Sequence, residues 1–227
     1  MAELEAAVAA RDRFIAAVGH ELRNAVAPLA MLAETLGAPT EPAAAERRAA
    51  ILSRNLKRLV GTLDLVADVA QLRSENLIFA WDIVELCGVV REVVSETTAD
   101  AVAANVELRV DASADVTGRW DRARLRQITF HLVTNAIRHS GGGPVDISVS
   151  HDDHQIELIV ADRGRGIPAS RRTRLFDAFD VAETRRTGGL GVGLWIVNTL
   201  CKHFKGTVNL LDDDGPGARF RVVLPRV

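Results

Sequence analysis

The stretch Phe14-Ile-Ala-Ala-Val-Gly-His-Glu-Leu-Arg-Asn-Ala-Val-Ala-Pro-Leu29 decides how this chain is read. Apolar residues around it recur at Leu4, Val8, Ile15, Val18, Leu22, Ala25, Leu29, Leu32 and Leu36, with one place skipped at Arg11. Gaps that alternate between three and four mark the buried seam of a helical bundle or coiled coil. His20 lies two residues from both Val18 and Leu22, so it points well away from that seam. It stands as either a solvated surface residue or a working nucleophile, with Glu21 beside it and Asn24 one turn on.

Outward from this stretch, the pattern predicts one helix from near residue 3 to residue 36. Pro28 removes a donor inside it and should bend it just past His20. Gly37-Ala-Pro-Thr-Glu-Pro42 reads as a stop and turn. A second helix over 43–73 carries the stripe Leu52, Leu56, Leu59, Leu63, Val66 and Val69 or Ala70. Two long helices and a short turn make an antiparallel hairpin. A hairpin alone cannot cover its own seam, so pairing of two copies into a four-helix bundle is the expected solution.

The helical seam is lost at Ser74-Glu-Asn76, which reads as a linker between residues 1–74 and a second domain over 77–227. Strands are expected at 77–83, 106–110, 116–120, 145–150, 156–161, 207–211 and 219–224, and helices at 84–104, 122–139 and 194–204. His151-Asp-Asp-His154 could chelate a metal but reads better as a polar hairpin tip. The three tryptophans, Trp81, Trp120 and Trp195, are expected to pack in this domain. The fold class is therefore α+β: a helical hairpin followed by an α/β sandwich with helices on one sheet face.

Composition narrows the function. A net charge of -2 gives no support for nucleic acid or an anionic membrane as the main partner. Cys87 and Cys201 lack metal-ligand spacing and read as buried free thiols in a reducing compartment. No apolar run approaches membrane-spanning length, so the expected setting is cytoplasmic without membrane contact, although a longer parent protein could carry an anchor.

Three motifs carry chemistry. His131-Leu-Val-Thr-Asn135-Ala-Ile-Arg138-His139 lies on a helix, and the Asn135 carbonyl is a suitable hard oxygen ligand for Mg²⁺. Asp162-Arg-Gly164-Arg-Gly166-Ile167 follows an apolar strand. Its carboxylate can accept from an exocyclic amine, while its glycines allow close backbone approach. Gly188-Gly189-Leu190-Gly191-Val192-Gly193-Leu194 opens into a helix, where unpaired amides can cradle phosphate. No Lys-Ser/Thr follows, so it is not a Walker loop. Each pattern alone also fits polar surface, an ordinary turn or a flexible connector.

Taken together and in order, these stretches resemble the transmitter core of the sensor histidine kinases of two-component signalling, across nearly the whole chain. His20-Glu-Leu-Arg-Asn24 resembles the phosphoacceptor box and Asn135 the asparagine box. Asp162, Gly164 and Gly166 resemble the first glycine box, Phe176 and Phe179 the phenylalanine box, and Gly189, Gly191 and Gly193 the second glycine box. Gly215-Pro-Gly217-Ala-Arg-Phe220 is similar to the last glycine-containing hairpin. The resemblance implies a homodimeric hairpin, a catalytic domain that binds Mg-ATP, and transfer of the γ-phosphoryl group to His20. Glu21 would take the proton or hold the tautomer. Asp162 would hold the adenine amino group, and Asn135 the Mg²⁺. Arg138, His139, Ile167, Leu190, Val192 and Leu194 flank these positions as further nucleotide-binding residues. The phosphohistidine would pass its group to an aspartate on a response regulator receiver domain, and an upstream sensor domain or protein would supply the signal. Asn24 either orients water for a regulator phosphatase or merely caps the bend.

Departures from the family pattern are Ala25 where a proline is usual, His131 where asparagine is common, Arg138 for lysine, and Arg163 for asparagine. The gyrase, mismatch-repair and heat-shock chaperone ATPases carry a glutamate four residues before the asparagine. Here that position is His131, which disfavours hydrolysis as the purpose. The remaining alternative is a weak or silent scaffold or phosphotransfer protein. Only nineteen residues precede His20, so the sensing part is expected on a longer parent or on a separate protein.

Overall fold

Alanine, leucine, arginine and glutamate, all strong helix formers, dominate the first third of the chain. The computed structural model describes residues 2–35, 41–73, 78–112, 116–177, 190–211 and 216–226. Helix α1 spans Ala2–Glu34 and α2 spans Pro42–Arg73. Pro42 occupies the first position of α2, where its missing N–H costs nothing. The two helices pack on each other through fully buried Ala25 and through Thr62, Val69 and Leu72. Much of the stripe expected on α2 is not covered: Leu52, Leu56 and Leu63 are 42%, 44% and 52% exposed. On α1, Ile15 is 60% exposed. One helix of a hairpin can shield only part of so wide an apolar face.

The contacts gather Asn76–Asp177 and Gly193–Val227 into a second unit. Its first strand, β1 (Trp81–Glu85), pairs antiparallel with β3 (Thr117–Asp121) in a separate two-stranded ribbon. The main sheet has five strands: β2 (Leu108–Asp111), β4 (Val145–His151), β5 (Gln155–Ala161), β6 (Thr207–Leu211) and β7 (Arg219–Pro225). They lie side by side in the order β2-β4-β5-β7-β6. Only β2 and β4 run parallel.

One face of the sheet is apolar, because alternate residues share a side. Ile147, Val160 and Phe220 line up across neighbouring strands, as do Val149, Leu158 and Val222, and all are buried. Helices α3 (Leu86–Ala103), α4 (Arg122–His139) and α6 (Gly193–His203) form the covering layer, and a short α5 spans Ala169–Arg172. The expected sandwich with helices on one face is the fold observed.

Three expectations are corrected. The strand foreseen at 77–83 begins only at Trp81 and continues to Glu85. The next helix starts at Leu86 because the Glu85 carboxylate accepts from the Gly88 amide at 2.6 Å and caps it. Trp81 is 45% exposed rather than packed away, while Trp120 is buried as expected. Helix α4 falls where it was foreseen, with Asp121 accepting from the Arg124 amide at 3.1 Å as its cap. The other Asp121 oxygen accepts from the Ala80 amide at 2.8 Å, which ties the segment before β1 to the start of α4. Leu36, Phe179 and Gly215 lie outside the described residues.

Candidate functional site

Strand β5 ends at Ala161 and delivers Asp162, a carboxylate only 4% exposed. Its Oδ1 accepts from the Gly164 amide at 2.8 Å and from the Ala218 amide at 3.3 Å. Its own amide donates to the Ala218 carbonyl at 2.9 Å. Burial raises the carboxyl above its ordinary range, and the two amide bonds pull the other way. Both bonds that the described residues give this carboxylate fall on Oδ1, which leaves Oδ2 for a donor brought by a ligand.

The backbone around Asp162 is crowded in a way that demands glycine. A Cβ at Gly164 would collide with the His139 carbonyl, and one at Gly217 with the Asp162 carbonyl. Gly217 also has φ 95, a conformation that side chains disfavour. These contacts bring together the end of α4, the loop after β5 and the turn before β7. A cavity of about 30 Å³ opens here, lined among others by Asp162, Gly217 and Ala218.

Asn135 sits half-buried on α4, one turn before His139. The His139 ring is held below the ordinary histidine range, first by burial and then by the charges of Arg138, Arg165 and Arg171. Three guanidinium groups near one turn of helix make an electropositive wall suited to phosphate. His131 lies one turn before Asn135. Its pKa is pushed down to about 4 by burial, with Arg138 adding to the effect. The residue is half-buried as a whole, but its Nε2 is out of reach of solvent and has no hydrogen-bond partner among the described residues. On the other side of the ring, a Cβ at Gly193 would lie 3.5 Å from Nδ1. Ile167 is half-buried, and its carbonyl accepts from Arg172 at 3.1 Å.

Among the described residues, no group of three or more His, Cys, Asp and Glu side chains can hold a metal by itself. A Mg²⁺ ion needs no such cage, because it commonly takes one or two protein oxygens and completes its shell with water and phosphate. Asn135 beside the arginine wall fits that manner of binding, and buried Asp162 fits the amino edge of a purine. Of the second glycine stretch, Gly189 lies outside the described residues. Leu190 and Val192 are buried, Gly191 has φ 65, and Gly193 and Leu194 open α6. Phe176 sets its ring 6.5 Å from that of Phe220, edge to face.

In the helical hairpin, His20 and Asn24 are exposed one turn apart on α1. Glu21, next to His20 in the chain, does not share that exposure. It is 7% exposed, and its Oε2 accepts from Arg58 on α2 at 2.7 and 3.2 Å. Arg58 was invisible in the sequence because it lies 37 residues away with no local pattern. The Ala218 amide was also missed, although its glycine-rich turn stood out. Ala25, the usual proline position, is completely buried.

Residues 120–227 match the Histidine kinase-, DNA gyrase B-, and HSP90-like ATPase family. The chain is 35% identical over 225 residues to the sensor-like histidine kinase SenX3 of Mycobacterium tuberculosis, covering 96% of this chain and 54% of that protein. It is 30% identical over 223 residues to the adaptive-response sensory kinase SasA of Parasynechococcus marenigrum, covering 95% and 57%. The chain thus spans a little over half the length of these relatives. Among solved structures, full-length ShkA in complex with AMPPNP superposes with a TM-score of 0.68 at 28% identity, over 93% of this chain and 45% of that one.

Proposed function

Because this chain belongs to the sensor histidine kinases, we propose that it is a core that phosphorylates its own His20 from Mg-ATP and passes the group to an aspartate of a response regulator. In this reading, residues 1–74 are the dimerisation and phosphoacceptor hairpin, and residues 77–227 the catalytic domain. The work is done in the cytoplasm. The observation that carries the proposal is the buried Asp162 carboxylate, with Oδ1 committed to two backbone amides and Oδ2 left for an adenine amino group.

The residues then divide the task. Asp162 fixes the base. Gly164, Gly166 and Gly217 let the backbone close around the nucleotide, and Arg138 and Arg165 supply positive charge toward its phosphates. Asn135 offers its carbonyl oxygen to Mg²⁺, which neutralises phosphate charge when bound. Exposed His20 presents a ring nitrogen for in-line attack: an N–P bond forms, the P–O bond to the ADP leaving group breaks, and the ring proton departs. Glu21 would take that proton or fix the tautomer through its second oxygen, the first accepting from Arg58. Asn24, on the same face as His20, is assigned to orienting water in a phosphatase reaction on the regulator.

Asp162→Asn isolates the base-reading step. The substitution keeps an acceptor for Gly164 and Ala218 but turns the second atom from acceptor to donor, so it faces the adenine amine donor to donor. ATP affinity, measured by titration calorimetry, should fall at least tenfold, as expected for loss of a charge-assisted hydrogen bond of about 1.5–3 kcal/mol. Unchanged affinity would remove Asp162 from the site.

A further inference from the structure

The catalytic domain carries a second cavity of about 270 Å³ where the chain enters it from the linker. Trp81, Trp120, Phe204 and Pro225 form apolar walls. The Trp81 and Phe204 rings meet edge to face at 5.6 Å, and Phe79 lies 5.5 Å from Trp81. Trp81 nevertheless leaves 45% of its surface open. Ligand pockets commonly hold about 300–1,000 Å³, so this one is sized for a one- or two-ring body.

Among the described residues its charged lining has a single sign: Arg119 and Lys205 border the cavity beside His203, and no described carboxylate does. Neither Arg119 nor Lys205 has an ion-pair partner among the described residues. Lys205 is also held in an unusual place. It follows α6, with its amide donating to the Lys202 carbonyl at 3.0 Å and that of Gly206 to the Cys201 carbonyl at 2.8 Å. This helix-ending turn gives Lys205 φ 57, the left-handed conformation where glycine is favoured. The fold thus keeps a cation at the rim in a backbone position that suits another residue better.

The cavity is remote from the nucleotide residues within the same unit. Asp162 follows Ala161, which pairs with Arg219, whereas the cavity-lining Pro225 pairs with Gln155 at the other end of the same ladder. That ladder separates the two by roughly 20 Å at about 3.4 Å per residue. Helix α6 likewise begins at Gly193, against His131, and ends at His203, beside the cavity.

From an aromatic cleft rimmed by two cations that have no ion-pair partner among the described residues, we infer a second ligand site in the catalytic domain, which binds a small aromatic carboxylate. The ring lies among Trp81, Trp120 and Phe204, and the carboxylate meets Arg119 and Lys205. Trp81, which opens β1, follows the end of α2 by eight residues in the chain. This site lies outside the proposed kinase chemistry and does not depend on it.

Titration calorimetry on the full chain with indole-3-acetate and tryptamine, probes alike in ring and chain but opposite in charge, tests the inference. Indole-3-acetate should bind saturably at one site per chain, unaffected by saturating AMPPNP, with tryptamine at least tenfold weaker. Arg119→Gln and Lys205→Gly should each weaken the anion at least tenfold. Glycine accepts the backbone conformation at 205, so the second variant keeps its fold. No saturable binding, equal binding of both probes, competition by the nucleotide, or unchanged affinity in both variants would overturn it.

Discussion

His131 is a side chain that departs from its family, and the departure has a price in acid. Its ring is kept neutral by burial and by the nearby Arg138 charge, with a pKa lowered from 6.5 to about 4. In the unfolded chain the ring charges below pH 6.5, whereas in the folded chain it charges only near 4. Stability from this residue is therefore complete above 6.5 and is lost as pH falls toward 4. Urea denaturation at pH 7 and pH 4.5 should show the parent losing roughly 2 kcal/mol more on acidification than His131→Gln. An equal loss in both proteins would mean that the ring titrates normally. Asp162 and Glu21 show why single residues were only partly legible from the sequence. The strand-then-DxGxG pattern exposed Asp162, because the signal was local. The burial of Glu21 depends on Arg58 on the facing helix, which no spacing along α1 could reveal.

At the scale of elements, glycines sort by what a side chain would meet. Gly217→Ala would set a methyl group against the Asp162 carbonyl at a φ of 95. It should cost about 2 kcal/mol or more in thermal unfolding and abolish measurable ATP binding. Gly61→Ala, inside α2 with nothing within 4 Å of the new methyl, should instead stabilise by about 0.5–1 kcal/mol. The reverse order would place the strained turn elsewhere. Helix α4 was readable to the residue because its cap, Asp121, and its stop, the run from Gly141, are both written locally. β1 was misplaced by several residues because its extent is set by a partner distant in the chain, with Trp81 against Asp121 at one end and Glu85 against Thr117 at the other, and not by the apolar run before it. That same shift leaves Trp81 at the mouth of the second cavity.

The whole molecule poses the question of what covers Leu52, Leu56 and Leu63. Full burial of one leucine is worth about 1.5–3 kcal/mol, so an open stripe of this kind favours a second hairpin as its cover. In sedimentation equilibrium, the parent should have twice the chain mass of 24.5 kDa, and Leu56→Glu combined with Leu63→Glu should return it to a single chain. A monomeric parent would contradict the four-helix bundle. No helix among the described residues is long and apolar enough to cross a membrane.

The central claim is that an exposed histidine on α1 receives phosphate from a nucleotide held around Asp162 and Asn135. Incubation with Mg²⁺ and γ-labelled ATP, comparing the parent with His20→Gln and Asn135→Asp, tests it most directly. The account predicts label on the parent alone, stable to base and lost in acid, as befits a P–N bond. Label that persists in His20→Gln, or a parent that binds ATP and stays unlabelled, would contradict it.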